Sequence, residues 1–454
     1  MSSARFEPAG PLRGGLRPPP DKSISHRAAI LAAMAVGESW IEGYLDSADT
    51  RSTLAAIAGL GAGVEIADGS KPGALDVNVD GIGLRGPGER FPAVGAAPTI
   101  DVGNAGTLMR LLPGWLAGQG RGRWTLDGDA SIRRRPIDRI VEPLAAMGAD
   151  VEGSDGNRLP PLTVAGAPLE GISYRLPVAS AQVKSCVLLA GLLAAGATEV
   201  VEPAPSRDHT ERMLAAAGAR IDAETPGPGL AVRGRLPPRR IVLDPVERLE
   251  PVGVEVPGDF SSAAFFLVAA LAVPGSRVRL EGVGLNPTRV GLLGILSRMG
   301  AAIEVEEGSA SAGEPQGTVD ARHAPLRGTR VAAGEVPLAI DELPLVALAA
   351  SFAEGETVVK GAAELRRKES DRIATVVEAI GALGGDAEPL DDGFVVRGVG
   401  GLRGGAVDSH GDHRLAMLGA IAGLASRDGV EVRGMEAAGV SYPGFERDLL
   451  SLIG

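Results

Sequence analysis

The sequence contains few cysteines, histidines and aromatic residues, and each shortage excludes a class of function. Its only cysteine is Cys186, so neither an intrachain disulfide nor a cysteine-based metal centre can form. The five histidines provide no complete set of metal ligands, and we expect no metal ion. Aromatic residues make up 3 % of the chain and the net charge is −12, which together disfavour a nucleic-acid partner.

Long apolar stretches are also missing, and their absence argues against a transmembrane helix. No run of about 18 apolar residues occurs in the chain, and its N-terminal residues lack the apolar core of a secretory signal. We therefore expect a cytoplasmic protein with no membrane partner. A hydrophobic content of 44 % with 22 % charged residues is typical of soluble globular proteins, and 454 residues are enough for two domains.

One pattern recurs six times along the chain. It consists of a polar residue, an Ala/Leu-rich helix, a turn of small residues and a short strand in which polar and apolar residues alternate. A second pattern, a helix end followed by glycine and a strand, lies between the copies. Each repeat therefore predicts helix, strand, helix and strand, with some additional strand. The copies begin at Asp21, Asn104, Ser180, Asp259, Asp341 and Asp412.

The repeats are too long for an open solenoid and favour two α/β domains of three repeats each. We place the break near residues 252–257, which predicts a first domain at 20–256 and a second at 257–454. Residues 1–19 precede the first repeat, and we expect them to complete the second domain. The opening helices are apolar on all sides, which predicts that they lie inside their domains. If their N-termini converge, the cleft between the domains will attract anions.

The first repeat opens with a candidate anion-binding site. Lys22, Ser23 and Arg27 lie on the first turns of its helix, where unpaired N–H groups and a partial positive charge favour a phosphate or a carboxylate. An ordinary capped helix with solvated charges is the alternative. In the second repeat, Gly106 permits close approach of a ligand to the backbone, and Arg135 ends a run of arginines that could grip a carboxylate. A structural turn and a solvated face are the alternatives there.

The third repeat begins with Ser180, Ala181 and Gln182. A helix N-cap explains Ser180, whereas Gln182 and the later Arg207 require a further reason. Cys186 lies in an apolar run, so we favour core packing over a nucleophilic role.

The second half of the sequence supplies candidates for acid–base chemistry. Asp341 opens the fifth helix and is either an N-cap or a proton acceptor. Glu369 lies beside Lys368 and Arg372 in a highly charged segment that could also be a solvated helix start. His410 and His413 are three residues apart but have no third metal ligand nearby, and we favour His413 and Arg414 as anion contacts. The pattern as a whole indicates a transferase or ligase that acts on two small anionic substrates across a closing cleft.

Seven motifs, in order along nearly the whole chain, provide a more specific indication. They are Asp-Lys-Ser-Ile-Ser-His-Arg at 21–27, Gly-Asn-Ala-Gly-Thr at 103–107, Arg-Arg-Pro at 134–136, Ser-Ala-Gln at 180–182, Asp-Glu at 341–342, Lys-Glu-Ser-Asp-Arg at 368–372 and Gly-Asp-His-Arg at 411–414. These motifs resemble those of the 5-enolpyruvylshikimate-3-phosphate synthase family of enolpyruvyl transferases.

The resemblance implies an α/β fold of two domains, each with three βαβαββ-type repeats arranged as an inverse α/β barrel. The active site of such a protein lies in the interdomain cleft. The implied reaction transfers the enolpyruvyl group of phosphoenolpyruvate to the 5-hydroxyl of shikimate 3-phosphate and releases phosphate, as a step of aromatic amino acid biosynthesis. It requires no metal and no organic cofactor, and the family suggests a monomer.

The resemblance also implies roles for individual residues. Asp341 is similar to the residue that takes the proton of the 5-hydroxyl, and Glu369 and Lys22 resemble those that move protons at the enol methylene and the leaving phosphate. The implied contacts to shikimate 3-phosphate are Lys22, Ser23, Arg27, Ser180, Ala181, Gln182, Arg207, Asp341 and Lys368. The implied contacts to phosphoenolpyruvate are Lys22, Gly106, Arg135, Gln182, Arg372 and Arg414.

Three positions depart from the pattern of many members. Val440 precedes Ser-Tyr-Pro at 441–443, where many members carry a lysine, so one cation for phosphoenolpyruvate is missing or comes from elsewhere. Ala181 and Leu111 replace a serine and a proline, as in the subgroup that includes glyphosate-tolerant enzymes. That tolerance is associated with alanine at the position of Gly106. The glycine here predicts inhibition by glyphosate in competition with phosphoenolpyruvate.

Two alternatives remain at this point. UDP-N-acetylglucosamine enolpyruvyl transferases share the fold but typically use a loop cysteine, whereas Cys186 lies in an apolar helix-like run. A repeat-built binding scaffold would explain the repeats. It would not explain why Lys368, Glu369 and Arg372 occur together with Asp341.

Overall fold

The structure is a computed structural model that describes residues 2–70, 73–90, 97–223 and 238–453. Met1 and Gly454, the outer limits of the predicted second domain, lie outside these residues. Two strands near the N-terminus, β1 (Ser3–Phe6) and β2 (Arg13–Leu16), pair with distant parts of the chain. The first is antiparallel to residues 430–433, and the second is parallel to residues 277–280. We therefore call residues 20–256 the first half, and residues 257–453 together with 2–19 the second half.

The first half contains the following elements in chain order: α1 (Lys22–Met34), β3 (Val36–Leu45), α2 (Ala48–Leu60), β4 (Gly63–Asp68), β5 (Ala74–Ile82), α3 (Gly86–Arg90), β6 (Thr99–Asp101), α4 (Gly106–Ala117), β7 (Arg123–Asp127), α5 (Asp138–Ala146), β8 (Asp150–Gly153), the single turn α6 (Ser154–Asn157), β9 (Leu159–Ala165), β10 (Ser173–Arg175), α7 (Ala181–Gly191), β11 (Thr198–Glu202), α8 (His209–Ala216), β12 (Ile221–Ala223), β13 (Arg239–Leu243) and β14 (Val254–Glu255).

The second half continues with the following elements: α9 (Phe260–Ala272), β15 (Arg277–Gly284), α10 (Gly291–Arg298), β16 (Ala302–Ser311), β17 (Glu314–Arg322), β18 (Arg330–Val331), α11 (Val336–Ala339), α12 (Leu343–Ser351), β19 (Glu356–Val359), α13 (Arg372–Ala382), β20 (Asp386–Leu390), β21 (Gly393–Arg397), β22 (Gly405–Asp408), α14 (His413–Ala425), β23 (Val430–Arg433) and α15 (Phe445–Leu450). Short 3-10 helices lie at Ile132–Arg134, Ala363–Arg367 and Met435–Val440.

The four-stranded sheets all have the same spatial order and relative direction of strands. In one of them, β6 lies parallel to β7, and β9 runs antiparallel to both β7 and β8. Because α4 and α5 separate the first three strands, the chain order is βαβαββ. The predicted α/β fold of βαβαββ-type repeats is therefore confirmed. The strand orders are β14-β3-β5-β4, β6-β7-β9-β8, β10-β11-β13-β12, β2-β15-β17-β16, β18-β19-β21-β20 and, with three strands, β1-β23-β22.

Two repeats take their first strand from a remote part of the chain. β14, which follows the third repeat, pairs in parallel with β3 of the first repeat. In the same way, β2 pairs in parallel with β15 of the fourth repeat. The segments that follow these two strands in the chain lie side by side where the halves meet, with a β-bridge between Pro20 and Gly258.

The apolar side chains form two separate cores. One consists of residues between Ile24 and Val256, and the other joins Phe6 and Leu12 to residues between Phe260 and Leu452. The opening helices are the centre of each core, as predicted, and every residue of α9 is buried. Among the described residues, no helix combines the length and apolar character needed to cross a bilayer.

Four of the predicted caps are confirmed, because the side chains of Asp21, Ser180, Asp259 and Asp412 accept hydrogen bonds from the first turn of their helices. The other two repeats lack the expected polar cap, and the N-cap alternative for Asp341 is excluded. Ala105 precedes α4 in place of Asn104, and α12 begins at Leu343, after Glu342. Asp341 is thus free of a capping role, and its carboxylate is used elsewhere.

Two helices end before the apolar run of the sequence does. The run of α7 continues to Ala195 but the helix ends at Gly191, and the run of α1 continues to Val36 but the helix ends at Met34, since Ala35 is extended and leads into β3. A continuous apolar run carries no periodic signal for its own end. By contrast, the glycines of the second pattern were informative, because each has the left-handed conformation of a helix terminus. These are Gly61, Gly148, Gly218, Gly300 and Gly384.

Candidate active site

Asp341 lies at the centre of a group of cations, between α11 and α12. Its Oδ1 atom lies 3.2 Å from Lys368 Nζ and 3.2 Å from Arg372 Nη1. Its Oδ2 atom accepts a hydrogen bond from Arg207 Nη2, which comes from the first half. Two further guanidinium groups lie 3.9 Å from Oδ2, those of Arg289 and Arg414.

This environment keeps Asp341 ionised although the residue is only 8 % exposed. Burial alone would raise the pKa of its carboxyl, because a low dielectric disfavours charge. The positive charges around it, led by Lys368 and Arg207, outweigh burial and hold the pKa of Asp341 well below its usual range. A buried carboxylate with several cations and no helix to cap has the properties of a functional group rather than a structural one.

Arg372 links Asp341 to two other carboxylates. Its side chain is 1 % exposed, and its Nη2 donates to Glu369 Oε2 at 2.7 Å while its Nε donates to Asp412 Oδ2 at 2.7 Å. Asp412 also accepts from the backbone N–H of Arg414 at 2.9 Å and so caps α14. The N-terminal turns of α13 and α14 are therefore fixed to each other, with Arg372 between them.

Glu369 is ionised in this arrangement. Burial opposes its charge, but the adjacent Arg372 guanidinium lowers the pKa of Glu369 below its usual range. Burial and the nearby Arg414 lower the pKa of His413, so its imidazole is neutral at pH 7. The ionised state of Glu369 thus depends on the charge of Arg372, and a bound anion that shares this guanidinium would raise the pKa of Glu369.

In the first half, the N-terminal turns of α1, α4 and α7 lie next to each other, as predicted. Arg27 Nη2 of α1 donates to Ser185 Oγ of α7 at 3.0 Å. Gln182 Nε2 of α7 lies 3.4 Å from Thr107 Oγ1 of α4. Lys22 Nζ pairs with Asp49 Oδ2 at 3.2 Å.

Arg27 is a buried cation whose partners are all neutral among the described residues. It donates to Thr210 Oγ1 at 2.8 Å and to the carbonyl oxygen of Ser23 at 3.0 Å, in addition to Ser185. Burial, with the positive charge of Arg207, lowers the pKa of Arg27 to about 10. The guanidinium remains charged at pH 7, and a bound anion would stabilise this charge.

Gly106 lies beside two guanidinium groups at the start of α4. A Cβ atom at this position would lie 3.0 Å from Arg110 Nη1 and 3.1 Å from Arg135 Nη1. Arg135 donates to Asn104 Oδ1 at 2.7 Å, and Arg110 donates to the carbonyl oxygens of Gly106 and Pro136. Burial and Arg135 lower the pKa of Arg110 to about 10. Two like charges with neutral partners again favour an anion at this point.

The two halves are in contact with each other at the candidate site. Besides the pair of Arg207 and Asp341, Arg139 makes two parallel hydrogen bonds of 3.1 Å to the carboxylate of Glu364. These contacts bring the first-half and second-half residues of the predicted site together. Ala181 and Ser23 contribute no side-chain contact of their own to the charged groups among the described residues, but both lie on the converging helix turns.

Sequence reasoning assigned no role to two residues of this region. The sequence shows that Arg110 lies one turn after Gly106, and the i, i+4 spacing indicates that they share a helix face. Arg289 lies in the loop before α10, where nothing in the local sequence distinguishes it from a solvated arginine. Its burial and its three carboxylate neighbours depend on contacts between distant segments.

Other predictions concern residues outside the charged groups. Cys186 is buried in α7, and burial raises the pKa of its thiol, which confirms core packing. Val440 is 49 % exposed at the end of a 3-10 helix and offers no cation. His410 lies 3.3 Å from Glu378, and no group of three potential metal ligands occurs within the part of the chain that the structure describes.

The fold of this chain also occurs in known proteins. The structure matches an enolpyruvyl transferase, NikO from Streptomyces tendae, with a TM-score of 0.71 over 99 % of this chain and 96 % of that one. The sequence identity is only 18 %, so this match concerns the fold alone. The repeats described above therefore form the same fold as that protein.

Closer relatives define the family within that fold. The family model of EPSP synthase (3-phosphoshikimate 1-carboxyvinyltransferase) matches residues 6–449. A 3-phosphoshikimate 1-carboxyvinyltransferase of Thermus thermophilus is 50 % identical, over 100 % of this chain and 99 % of its own length. An EPSP synthase structure from Acinetobacter baumannii is 39 % identical with a TM-score of 0.84, covering 100 % of this chain and 98 % of that one. The chain belongs to the EPSP synthase family.

Proposed function

We propose that the protein is a 3-phosphoshikimate 1-carboxyvinyltransferase. It transfers the enolpyruvyl group of phosphoenolpyruvate to the 5-hydroxyl of shikimate 3-phosphate and releases phosphate, in the biosynthesis of chorismate and the aromatic amino acids. The observation that carries this proposal is the ionised, buried Asp341 among cations from both halves, in a chain of this family. The two substrates are anionic, and the cations are suited to both.

Shikimate 3-phosphate binds mainly to the first half. Arg27 is the main cation for its phosphate, because it is buried with neutral partners and is preorganised by Thr210 and Ser185. The N-terminus of α7 adds N–H donors from the segment that begins at Ser180. The full set of contacts in this proposal is Lys22, Ser23, Arg27, Ser180, Ala181, Gln182, Arg207, Asp341 and Lys368.

Phosphoenolpyruvate binds between the halves, where Arg135 of the first half and Arg372 of the second provide guanidinium groups. The glycine at 106 leaves room for the ligand beside Arg135. The full set of contacts in this proposal is Lys22, Gly106, Arg135, Gln182, Arg372 and Arg414.

The proton transfers follow from the charges. Asp341 is held ionised by its cations, so it accepts the proton of the 5-hydroxyl as that oxygen attacks C2. When phosphoenolpyruvate shares Arg372, the pKa of Glu369 rises, and Glu369 becomes able to take up a proton and deliver it to the enol methylene. Lys22 assists departure of the phosphate. In the elimination, a proton of the new methyl group returns to Glu369, the C–O bond to the phosphate breaks, and the double bond is restored without a cofactor.

Several further properties belong to this proposal. The domains comprise residues 20–256 and residues 257–454 with 1–19, and they close on the substrates. The protein is a cytoplasmic monomer. Glyphosate inhibits it in competition with phosphoenolpyruvate, because Gly106 leaves space for the longer molecule.

The decisive experiment measures phosphate release from phosphoenolpyruvate by the purified protein without added metal. Shikimate 3-phosphate is the test acceptor, and UDP-N-acetylglucosamine is the control acceptor. Release with shikimate 3-phosphate alone supports the proposal. Release with the nucleotide sugar alone would mean that the acceptor is wrong, and release with neither would favour the binding-scaffold alternative.

A further inference from the structure

We propose that Arg289 is a positioning residue that aligns the catalytic groups of the two halves across the hinge. This inference rests on the proposed function and adds a residue outside the substrate-contacting sets given above. It follows from the way in which the two connections between the halves are built.

The two connections between the halves run through residues 19–21 and 257–259. They form a symmetric hydrogen-bonded pair, which we call the hinge. The backbone N–H of Asp21 donates to the carbonyl oxygen of Pro257 at 2.8 Å, and the N–H of Asp259 donates to that of Pro19 at 2.7 Å. Each aspartate then caps the opening helix of its half. Asp21 Oδ1 accepts from Ile24 N at 2.9 Å at the start of α1, and Asp259 caps α9.

Arg289 lies between these two caps. Its Nη2 donates to Asp259 Oδ1 at 2.8 Å and lies 3.7 Å from Asp21 Oδ2. Lys22, the residue after the first cap, belongs to the proposed catalytic set. A shift of Arg289 would therefore change the relation between the start of α1 and the start of α9.

The same guanidinium reaches the catalytic carboxylate of the second half. Its Nη1 lies 3.9 Å from Asp341 Oδ2. Its Nη2 also donates to Ser261 Oγ at 2.8 Å, and this hydroxyl donates to the carboxylate of Glu342, the neighbour of Asp341. One buried side chain thus links both hinge caps to both residues of the Asp-Glu motif.

The loop that carries Arg289 is itself anchored to the first half. Asn286 Nδ2 donates to Asp208 Oδ1 at 2.8 Å, and Thr288 Oγ1 lies 3.2 Å from the same atom. Asp208 follows Arg207, which binds Asp341 across the cleft. A shift of this loop would therefore displace Arg207, the hinge and Asp341 together.

The alternative is that Arg289 only neutralises buried aspartates. Both roles predict lower stability after substitution, so stability does not separate them. They differ in turnover per folded site. A stabilising ion pair leaves this quantity unchanged, whereas a misplacement of about 1 Å between catalytic groups lowers it by about 100-fold.

The test compares Arg289→Met, Arg289→Lys and the control Arg277→Met. Arg277 lies in β15 of the same half and pairs with Asp320 at 3.0 Å, away from the site. Titration calorimetry with shikimate 3-phosphate counts intact sites, and phosphate release then gives turnover per site. We expect wild-type turnover for Arg277→Met, a loss of about 100-fold for Arg289→Met and an intermediate value for Arg289→Lys. Lysine keeps the charge but cannot bridge two carboxylates as a guanidinium does.

Wild-type turnover per site in Arg289→Met would overturn the inference. If that variant yields no folded sites, Arg289→Lys decides, and wild-type turnover per site in it would overturn the inference equally. Failure of the unmodified protein to release phosphate would instead count against the proposed function, so the two failures are distinguishable.

Discussion

Three arginines of the first half differ from the cations of the second half in how their positive charges are neutralised. In the first half, Arg27, Arg110 and Arg135 bind only neutral oxygens among the described residues. In the second half, Arg372 is paired with three carboxylates, and the remaining cations lie around Asp341. The first half is therefore a preformed receptor for anions, whereas the second half holds carboxylates ionised for proton transfer. Under the proposed function, the charge of the substrate completes the first-half face, and closure of the two halves brings the substrate to the second-half face.

The largest expected effect concerns the second half, whose carboxylates we assign to proton transfer. In Asp341→Asn, the proton acceptor is lost while the charge of the surrounding cations remains, so turnover should fall by about 1,000-fold. Phosphate release under saturating substrates measures this loss. The matched control is Asp320→Asn, which changes another buried carboxylate of the second half, paired with Arg277. Similar losses in both variants would show that Asp341 acts through stability rather than chemistry.

A substitution on the first-half face, which we call the receptor face, should lower the affinity for substrate rather than the turnover. Arg27→Gln removes a buried charge that we assign to the phosphate, and a charged hydrogen bond contributes about 1.5–3 kcal/mol. We expect shikimate 3-phosphate to bind about 10- to 100-fold more weakly, as measured by calorimetry. Arg51→Gln is the control, because Arg51 makes an exposed pair with Asp46 in the same half. A large loss of turnover with unchanged affinity would contradict the division between the faces.

Gly106→Ala tests how much space the first-half face leaves for a ligand beside Arg110 and Arg135. The added methyl would lie 3.0 Å from Arg110 Nη1 and 3.1 Å from Arg135 Nη1, so both guanidinium groups must move by a few tenths of an ångström. We expect the inhibition constant of glyphosate to rise about 10-fold more than the KM of phosphoenolpyruvate, because the longer ligand has less room. Initial-rate kinetics with both compounds measures the difference.

The control for this variant is Gly59→Ala in α2, where an added methyl meets nothing within 4 Å. It should leave both constants unchanged. Equal loss for glyphosate and phosphoenolpyruvate in Gly106→Ala would mean that displacement of Arg135, rather than ligand length, determines the effect.

The sequence predicted those parts of the fold that local rules determine. Caps such as Asp21 and Asp412 and the left-handed glycines mark helix ends through interactions within a few residues. The repeats could be predicted from these local signals. The sequence could not predict that β14 pairs with β3, since this pairing joins residues more than 200 positions apart.

The candidate site shows the same limit. The motifs identified the charged residues, but they left open whether Asp341 is an N-cap or a proton acceptor. Its role depends on cations from α13, α14 and the first half, which only the folded chain brings together. Arg289 was missed for the same reason, because its partners lie in segments that the local sequence does not connect to it.

The smallest expected effect concerns the exposed ion pair that joins the two halves. Arg139 and Glu364 form a bidentate pair with side chains that are 32 % and 36 % exposed. A pair this exposed contributes about 0.5 kcal/mol, so Arg139→Gln and Glu364→Gln should each weaken shikimate 3-phosphate binding by about two-fold. The double variant should be no weaker than either single one, and high salt should remove the difference. A tenfold loss in one single variant alone would instead indicate that this side chain contacts substrate, and the boundary of the receptor face would have to include it.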